Sequence, residues 1–199
     1  RLVQRTFAFY FVMVQTPLKP ITLEDFLQRP ETKPASEFID GQVIQKPMPK
    51  AAHSGIQTDL ASAINASIRS TRTGRAFNEL RCTFGGSSIV PDIAVLPWAD
   101  IPRSDNGELS GELLSSPTWM IEILSPGQSQ SKVVKKILRA IEFGTQMGWL
   151  IDPAEKCVFV YWPDLPPAFY EEPTAKIPVV DFASAFSLTV QDLINWLYD

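Results

Sequence analysis

At 199 residues, 45% of them hydrophobic, the chain can bury one core of ordinary size, which excludes a disordered or fibrous protein. Its 22 acidic and 18 basic residues leave a formal charge of -4, so any attraction for a polyanion must be local rather than global. The longest apolar run, Phe7 to Val14, falls far short of the roughly 20 residues needed to cross a bilayer and lacks a signal peptide's layout, which predicts a cytoplasmic protein with no membrane partner.

The 17 prolines are spread along the chain and no repeat is present, so residues 1–21 read as an N-terminal extension and 22–199 as a single domain. Thr22-Leu-Glu-Asp25-Phe-Leu predicts a short helix with Thr22 as N-cap and Asp25 closing a capping box, ending before Pro30. Glu37 to Ile44 predicts a β-hairpin, because two β-prone runs flank Asp40-Gly41, a pair suited to the positive φ values of a type I′ turn. From His53 to Ser70 the spacing of Ile56, Leu60, Ile64 and Ile68 is helical, with one buried face. Arg75 to Phe84 and Ser87 to Trp98 read as two strands joined at Gly85-Gly86, followed by a loop to Pro117. Thr118 to Leu124 is a nearly continuous apolar strand, and Lys132 to Met147 an amphipathic helix closing at Gly148. Strands at Trp149 to Pro153 and Cys157 to Trp162 follow, and Thr189 with Asp192 repeats the capping pattern near the C-terminus. These elements predict a mixed sheet with flanking helices, in which Thr118 to Ile151 forms a right-handed parallel crossover.

Two strands that otherwise read as core each hold a carboxylate, Asp92 in Ile89-Val-Pro-Asp-Ile-Ala-Val95 and Glu122 in Trp119-Met-Ile-Glu-Ile-Leu124. Burying an isolated carboxylate is costly, so each requires a cation or hydrogen bonds. Pro91 removes a ladder donor just before Asp92, so the strand is an edge there or splays from its neighbour. Either each acid is neutralised separately, by Arg81 or Lys132 for instance, or both enter one cleft and bind Mg²⁺, which takes one or two carboxylates and keeps several waters. In the helix after Glu122, Lys132, Lys135, Lys136 and Arg139 fall within an arc of about 100°, opposite an apolar face. That face is either solvated or turned toward the carboxylates, where an ammonium group and a metal would serve phosphodiester hydrolysis.

Other polar residues carry blander expectations. His53 shares the apolar helix face and reads as a satisfied core or helix-end histidine. Glu37 reads as an exposed strand residue, and Glu79 with Arg81 as an ion pair on one strand face. Cys82 and Cys157 lack metal-ligand spacing and there is one histidine, so zinc is excluded and both thiols are expected to be free and buried.

Taken in order, Glu37-Phe-Ile-Asp-Gly, His53, Val90-Pro91-Asp92-Ile-Ala-Val, Glu122-Ile-Leu-Ser-Pro126 and Gly148-Trp-Leu-Ile-Asp152-Pro resemble the Uma family of endonucleases, within the PD-(D/E)XK nuclease superfamily. The resemblance covers Thr22 to Asp152 and more loosely the remainder. It implies an α/β (α+β) restriction-endonuclease-like core, with a mixed central sheet flanked by helices and an N-terminal β-hairpin. Asp92 and Glu122 would be metal ligands, with the main-chain carbonyl of Ile123 as a third. The superfamily lysine is expected two residues beyond the glutamate, where this chain has Leu124; the family often places it in the following helix, which by position is Lys136, with Lys135 and Lys132 as near substitutes. Glu37 would be the family's acidic residue before the first long helix. The function implied is a Mg²⁺-dependent DNA endonuclease, Mn²⁺ substituting, with Lys136 polarising the scissile phosphate. The alternative is an inactive nuclease-fold module that binds nucleic acid or protein, motivated by Leu124 and the negative net charge. Phe7 to Val14, apolar at odd and even positions alike, should be covered by a sheet edge or a second copy, which makes a homodimer the expected assembly.

Overall fold

The structure, a computed structural model, describes residues 21–198, so the expectation for Phe7 to Val14 lies outside the described residues. The short first helix, α1, spans Leu23–Leu27, and the Thr22 side chain and Asp25 close the expected capping box. Strands β1 (Ser36–Ile39) and β2 (Gln42–Gln45) form the hairpin, with Asp40 at φ 50° and Gly41 at φ 76° in the left-handed conformation the turn requires. Helix α2, Ala51–Ile68, buries Ile56, Leu60, Ile64 and Ile68 completely.

The next two predicted strands are each broken in two. Gly74–Asn78 is β3 and Cys82–Phe84 is β4, while Ser87–Ile89 is β5 and Ile93–Pro97 is β6. The halves belong to different sheets. One sheet has the order β2-β1-β5-β4; the other, six-stranded, begins with β3 and β6 at one edge. Glu79 adopts φ 51°, a left-handed residue that ends β3, and Val90-Pro91-Asp92 carries the chain from the small sheet to the large one without pairing. The expected splay at Pro91 is therefore a change of sheet.

Strand β7 (Trp119–Ile123), helix α3 (Gln130–Glu142) and β8 (Met147–Asp152) make the crossover, with β7 and β8 parallel. The helix stops five residues short of Met147. Gly144 takes φ 110° and Thr145 N–H donates back to the Ala140 carbonyl, a closure that ends α3 and frees Met147 and Gly148 for β8. Gly148 has a packing role instead: a Cβ there would collide with Ile137, so the glycine lets α3 lie close on the sheet.

Strands β9 (Cys157–Trp162) and β10 (Leu165–Tyr170) complete the order β10-β9-β8-β7-β6-β3, and α4 (Val190–Asn195) follows with its own capping box at Thr189. The sequence signals for β10 were masked by Pro166 and Pro167, which the edge of a sheet tolerates beside the irregular register between Leu165 and Ala168. Through β6, β7 and β8 the large sheet is buried on both faces. Trp119, Ile121 and Ile123 pack with α2 and α4, whereas Met120 and Leu150 pack with α3. Alternation along β7 thus turns Glu122 to the same side as Met120, toward α3. Among the described residues, no helix is long and apolar enough to cross a membrane.

Candidate active site

Antiparallel pairing of β6 with β7 sets Ile93 opposite Ile121, so Asp92, one residue before β6, arrives opposite Glu122. The two acids are locked together through the backbone, because Ile123 N–H donates to Asp92 Oδ2 at 2.7 Å. Both are enclosed, Asp92 at 2% and Glu122 at 1% exposure.

Asp92 is fully engaged. Lys46, just past β2, places Nζ 2.6 Å from Oδ1 and donates also to the Val90 carbonyl at 2.9 Å. His53, in the first turn of α2, places Nε2 3.1 Å from Oδ2. Its Nδ1 is buried without a partner. The Asp92 carbonyl accepts from Gln57 Nε2 at 2.8 Å and from Glu79 N–H at 3.2 Å, so α2 and the left-handed turn after β3 both anchor this residue's backbone. Burial would raise the Asp92 carboxyl, but Lys46 first, then the His53 bond and the neighbouring cations, hold it well below the usual carboxylate range.

Glu122 faces a different environment. Lys136 reaches from α3 to place Nζ 2.9 Å from Glu122 Oε1, an ion pair that lacks hydrogen-bond alignment and leaves that buried oxygen without a hydrogen bond. The same Nζ donates to Glu37 Oε1 at 2.9 Å, and this oxygen also accepts from Val90 N–H at 2.8 Å. Burial pushes the Glu122 carboxyl up to about 7, with Lys136 pulling it down and Asp92 pushing it further up. Burial works in the opposite direction on Lys136, but Glu122, Glu37 and Asp92 together hold its ammonium above its ordinary value.

Of the residues singled out in the sequence, Asp92, Glu122, Ile123, Lys136 and Glu37 come together, and His53 joins them. Lys132 and Lys135 do not. Lys132 is exposed, and Lys135 pairs with Asp40 at 2.6 Å on the surface. The predicted basic stripe of α3 is divided among roles: Lys136 is buried in the site, while Arg139 donates to Ser87 Oγ and the Gly85 carbonyl, tying α3 to the turn between β4 and β5. Glu37 is 5% exposed rather than on the surface, because the β1–β5 pairing turns it inward against Val90. Arg81 neither neutralises Asp92 nor pairs with Glu79; it makes a two-pronged contact with Glu31 and reaches Ser88. Lys46 and Gln57 carried no signal in the sequence. A lysine after an exposed hairpin reads as solvated, and the long-range contact of its Nζ with Asp92 is what shows that the hairpin ends beside the site.

The chemistry of the donors suits a hard divalent cation, since two carboxylates suffice for Mg²⁺, which retains water in its remaining positions, but an ammonium group stands against each acid, Lys46 at 2.6 Å from Asp92 Oδ1 and Lys136 at 2.9 Å from Glu122 Oε1. Among the described residues no group of three or more His, Cys, Asp or Glu side chains is placed to hold a metal ion, so a cation here would depend on the two acids together with main-chain or water oxygens.

A six-stranded mixed sheet covered by helices, with two acids and a lysine meeting beside its β6–β7 pair, defines a restriction-endonuclease-like protein. Residues 23–191 match the family Uma2, described as "Putative restriction endonuclease", and the chain belongs to that family. Among solved structures it is similar to one described as "a putative nuclease belonging to DUF820" from Anabaena variabilis, at 55% identity and a TM-score of 0.88, covering 89% of this chain and 99% of that one. No curated protein matches the chain.

Proposed function

We propose that this protein is a Mg²⁺-dependent DNA endonuclease. The observation that carries the reading is the convergence of Asp92, Glu122 and Lys136 in one enclosed cluster, with Lys136 supplied from α3 in place of the lysine that Leu124 displaces. Asp92, Glu122 and the Ile123 carbonyl would hold the cation, Mn²⁺ substituting, and the bound ion would lower the pKa of a water and shield the phosphate. Lys136 keeps a full positive charge beside Glu122 and is positioned to stabilise negative charge that develops on the phosphate oxygens. Glu37 fixes that ammonium from the other side, and His53 and the Ile123 N–H fix the rotamer of Asp92. The family description and the relative named as a nuclease support DNA as the substrate. Leu124 would favour the inactive module only if no other ammonium reached Glu122, and Lys136 does.

The test is nicking of supercoiled plasmid in Mn²⁺ or Mg²⁺. Wild-type protein should nick it and EDTA should stop it, while Glu122→Gln and Lys136→Ala should each lower the rate by at least about a hundredfold without abolishing cooperative unfolding. Nicking that survives both substitutions would place the chemistry elsewhere.

A further inference from the structure

Lys46 is a charged member of the cluster that the proposed reaction does not use, and it stands where a metal ligand must open. Its Nζ lies 2.6 Å from Asp92 Oδ1, a short charged contact in a setting where both side chains are less than a tenth exposed. A divalent cation and an ammonium group on one carboxylate oxygen repel each other strongly at such separations. The space is equally restrictive. Lys46, Pro47 and Pro49, with His53, Glu79 and Asp92, line a cavity of about 10 Å³, room for roughly one water. A Mg²⁺ ion that keeps several waters cannot enter while Lys46 is in place. Residues 46–50 form neither helix nor strand, Met48 is 68% exposed, and Pro47 and Pro49 have no amide hydrogens with which to anchor the segment. The backbone is tied at its two ends, where Lys46 N–H donates to the Ala35 carbonyl and the Lys50 carbonyl accepts from Ser54 N–H, and between them the Lys46 side chain is the contact that draws the segment onto Asp92.

We propose that Lys46 is a positioning residue that acts as the resident counter-ion of Asp92: divalent metal binds by exchanging with its ammonium, and this exchange releases segment 46–49 from the mouth of the site. The inference rests on Asp92 being a metal ligand, as the proposed function has it. In the metal-free protein the ammonium compensates the buried carboxylate and holds its rotamer. On loading, the four-carbon stem swings the ammonium into water, where its charge is solvated.

Calorimetry with Mn²⁺ on the full chain tests this. Lys46→Met, which keeps the stem and removes the charge, should bind Mn²⁺ roughly tenfold more tightly than wild type, because no charged hydrogen bond must be broken first. A purely structural lysine predicts the reverse, equal or weaker binding, and that result overturns the proposal. Asp92→Asn separates the two inferences: if it leaves Mn²⁺ binding intact, Asp92 is not a ligand and the metal reading itself fails; if it abolishes binding while Lys46→Met changes nothing, only the exchange fails. Wild-type protein supplies a second measurement that needs no variant to fold. Acetic anhydride labelling of Lys46, read by peptide mass spectrometry, should rise several-fold when Mn²⁺ is added, and labelling that stays unchanged at saturating Mn²⁺ also overturns the exchange.

Discussion

Glu122 is an acid held where water scarcely reaches it, and its position follows from a single alternation. Because β7 sends Trp119, Ile121 and Ile123 toward α2, residue 122 must face α3, and Lys136 meets it there. The enclosure has a thermodynamic consequence. The carboxyl titrates near 7 in the folded protein against an ordinary value of 4.5, so the folded state binds this proton more tightly than the unfolded chain. Its contribution to stability is full below 4.5 and is lost as the pH rises through about 7. In EDTA, urea denaturation of the wild type should therefore show a decline in unfolding free energy across that window, and Glu122→Gln, which cannot titrate, should flatten it. A decline of the same slope in the variant would assign the titration to another group.

At the scale of elements, the short helices depend on their ends. Helix α4 has six residues, too few to persist without caps and packing. Thr189 accepts from Asp192 N–H at 3.1 Å while Asp192 Oδ2 accepts from Thr189 N–H at 3.0 Å and from its hydroxyl at 2.6 Å, and these bonds hold the Asp192 carboxyl below its ordinary value. Thr189→Ala should cost about 1 kcal/mol, visible as a lowered Tm, because it releases a cap that orients Val190, Leu193 and Ile194 into the core. An unchanged Tm would mean that packing alone holds α4. This box, like the one at Thr22, was legible in the sequence because every partner lies within three residues. The Asp40-Gly41 turn was legible for the same reason. What escaped were decisions made at long range. Whether the chain from Ser87 to Trp98 stays in one sheet depends on which strands await it, and nothing local to Pro91 says that Ile89 will pair in one sheet and Ile93 in another. The site divides in the same way. The acids stood out as charges inside apolar strands, and the family resemblance pointed to Lys136, but Lys46 meets Asp92 across 46 positions and its only local context is a polar hairpin.

The whole molecule hangs on one sheet with a core on each face. On one side Trp119 and Trp149 meet edge to face with ring centroids 4.8 Å apart, among side chains from α2 and α4. On the other, Cys82 from the small sheet packs with Ile137 of α3 and Leu150 of β8. Strands β7 and β8 belong to both cores, since successive residues face alternate sides, so neither core can dissolve without stripping one face of the other's scaffold. This predicts a single cooperative transition. Cys82 is a suitable reporter of the α3 side because it is fully buried and its thiol is pushed up to about 12, by burial first and then by the charge of Glu122, leaving almost no thiolate in the folded protein at pH 8. Pulse labelling with a thiol reagent across a urea titration, quantified on the Cys82 peptide, should give the same midpoint as the loss of near-ultraviolet circular dichroism from the tryptophans on the opposite face. Labelling that precedes the tryptophan signal would show instead that α3 and the small sheet open as a unit of their own. Because that unit carries Glu37, Lys46 and Lys136, its separate opening would take three of the site's five charged groups away from Asp92 and Glu122 while the large sheet stayed folded.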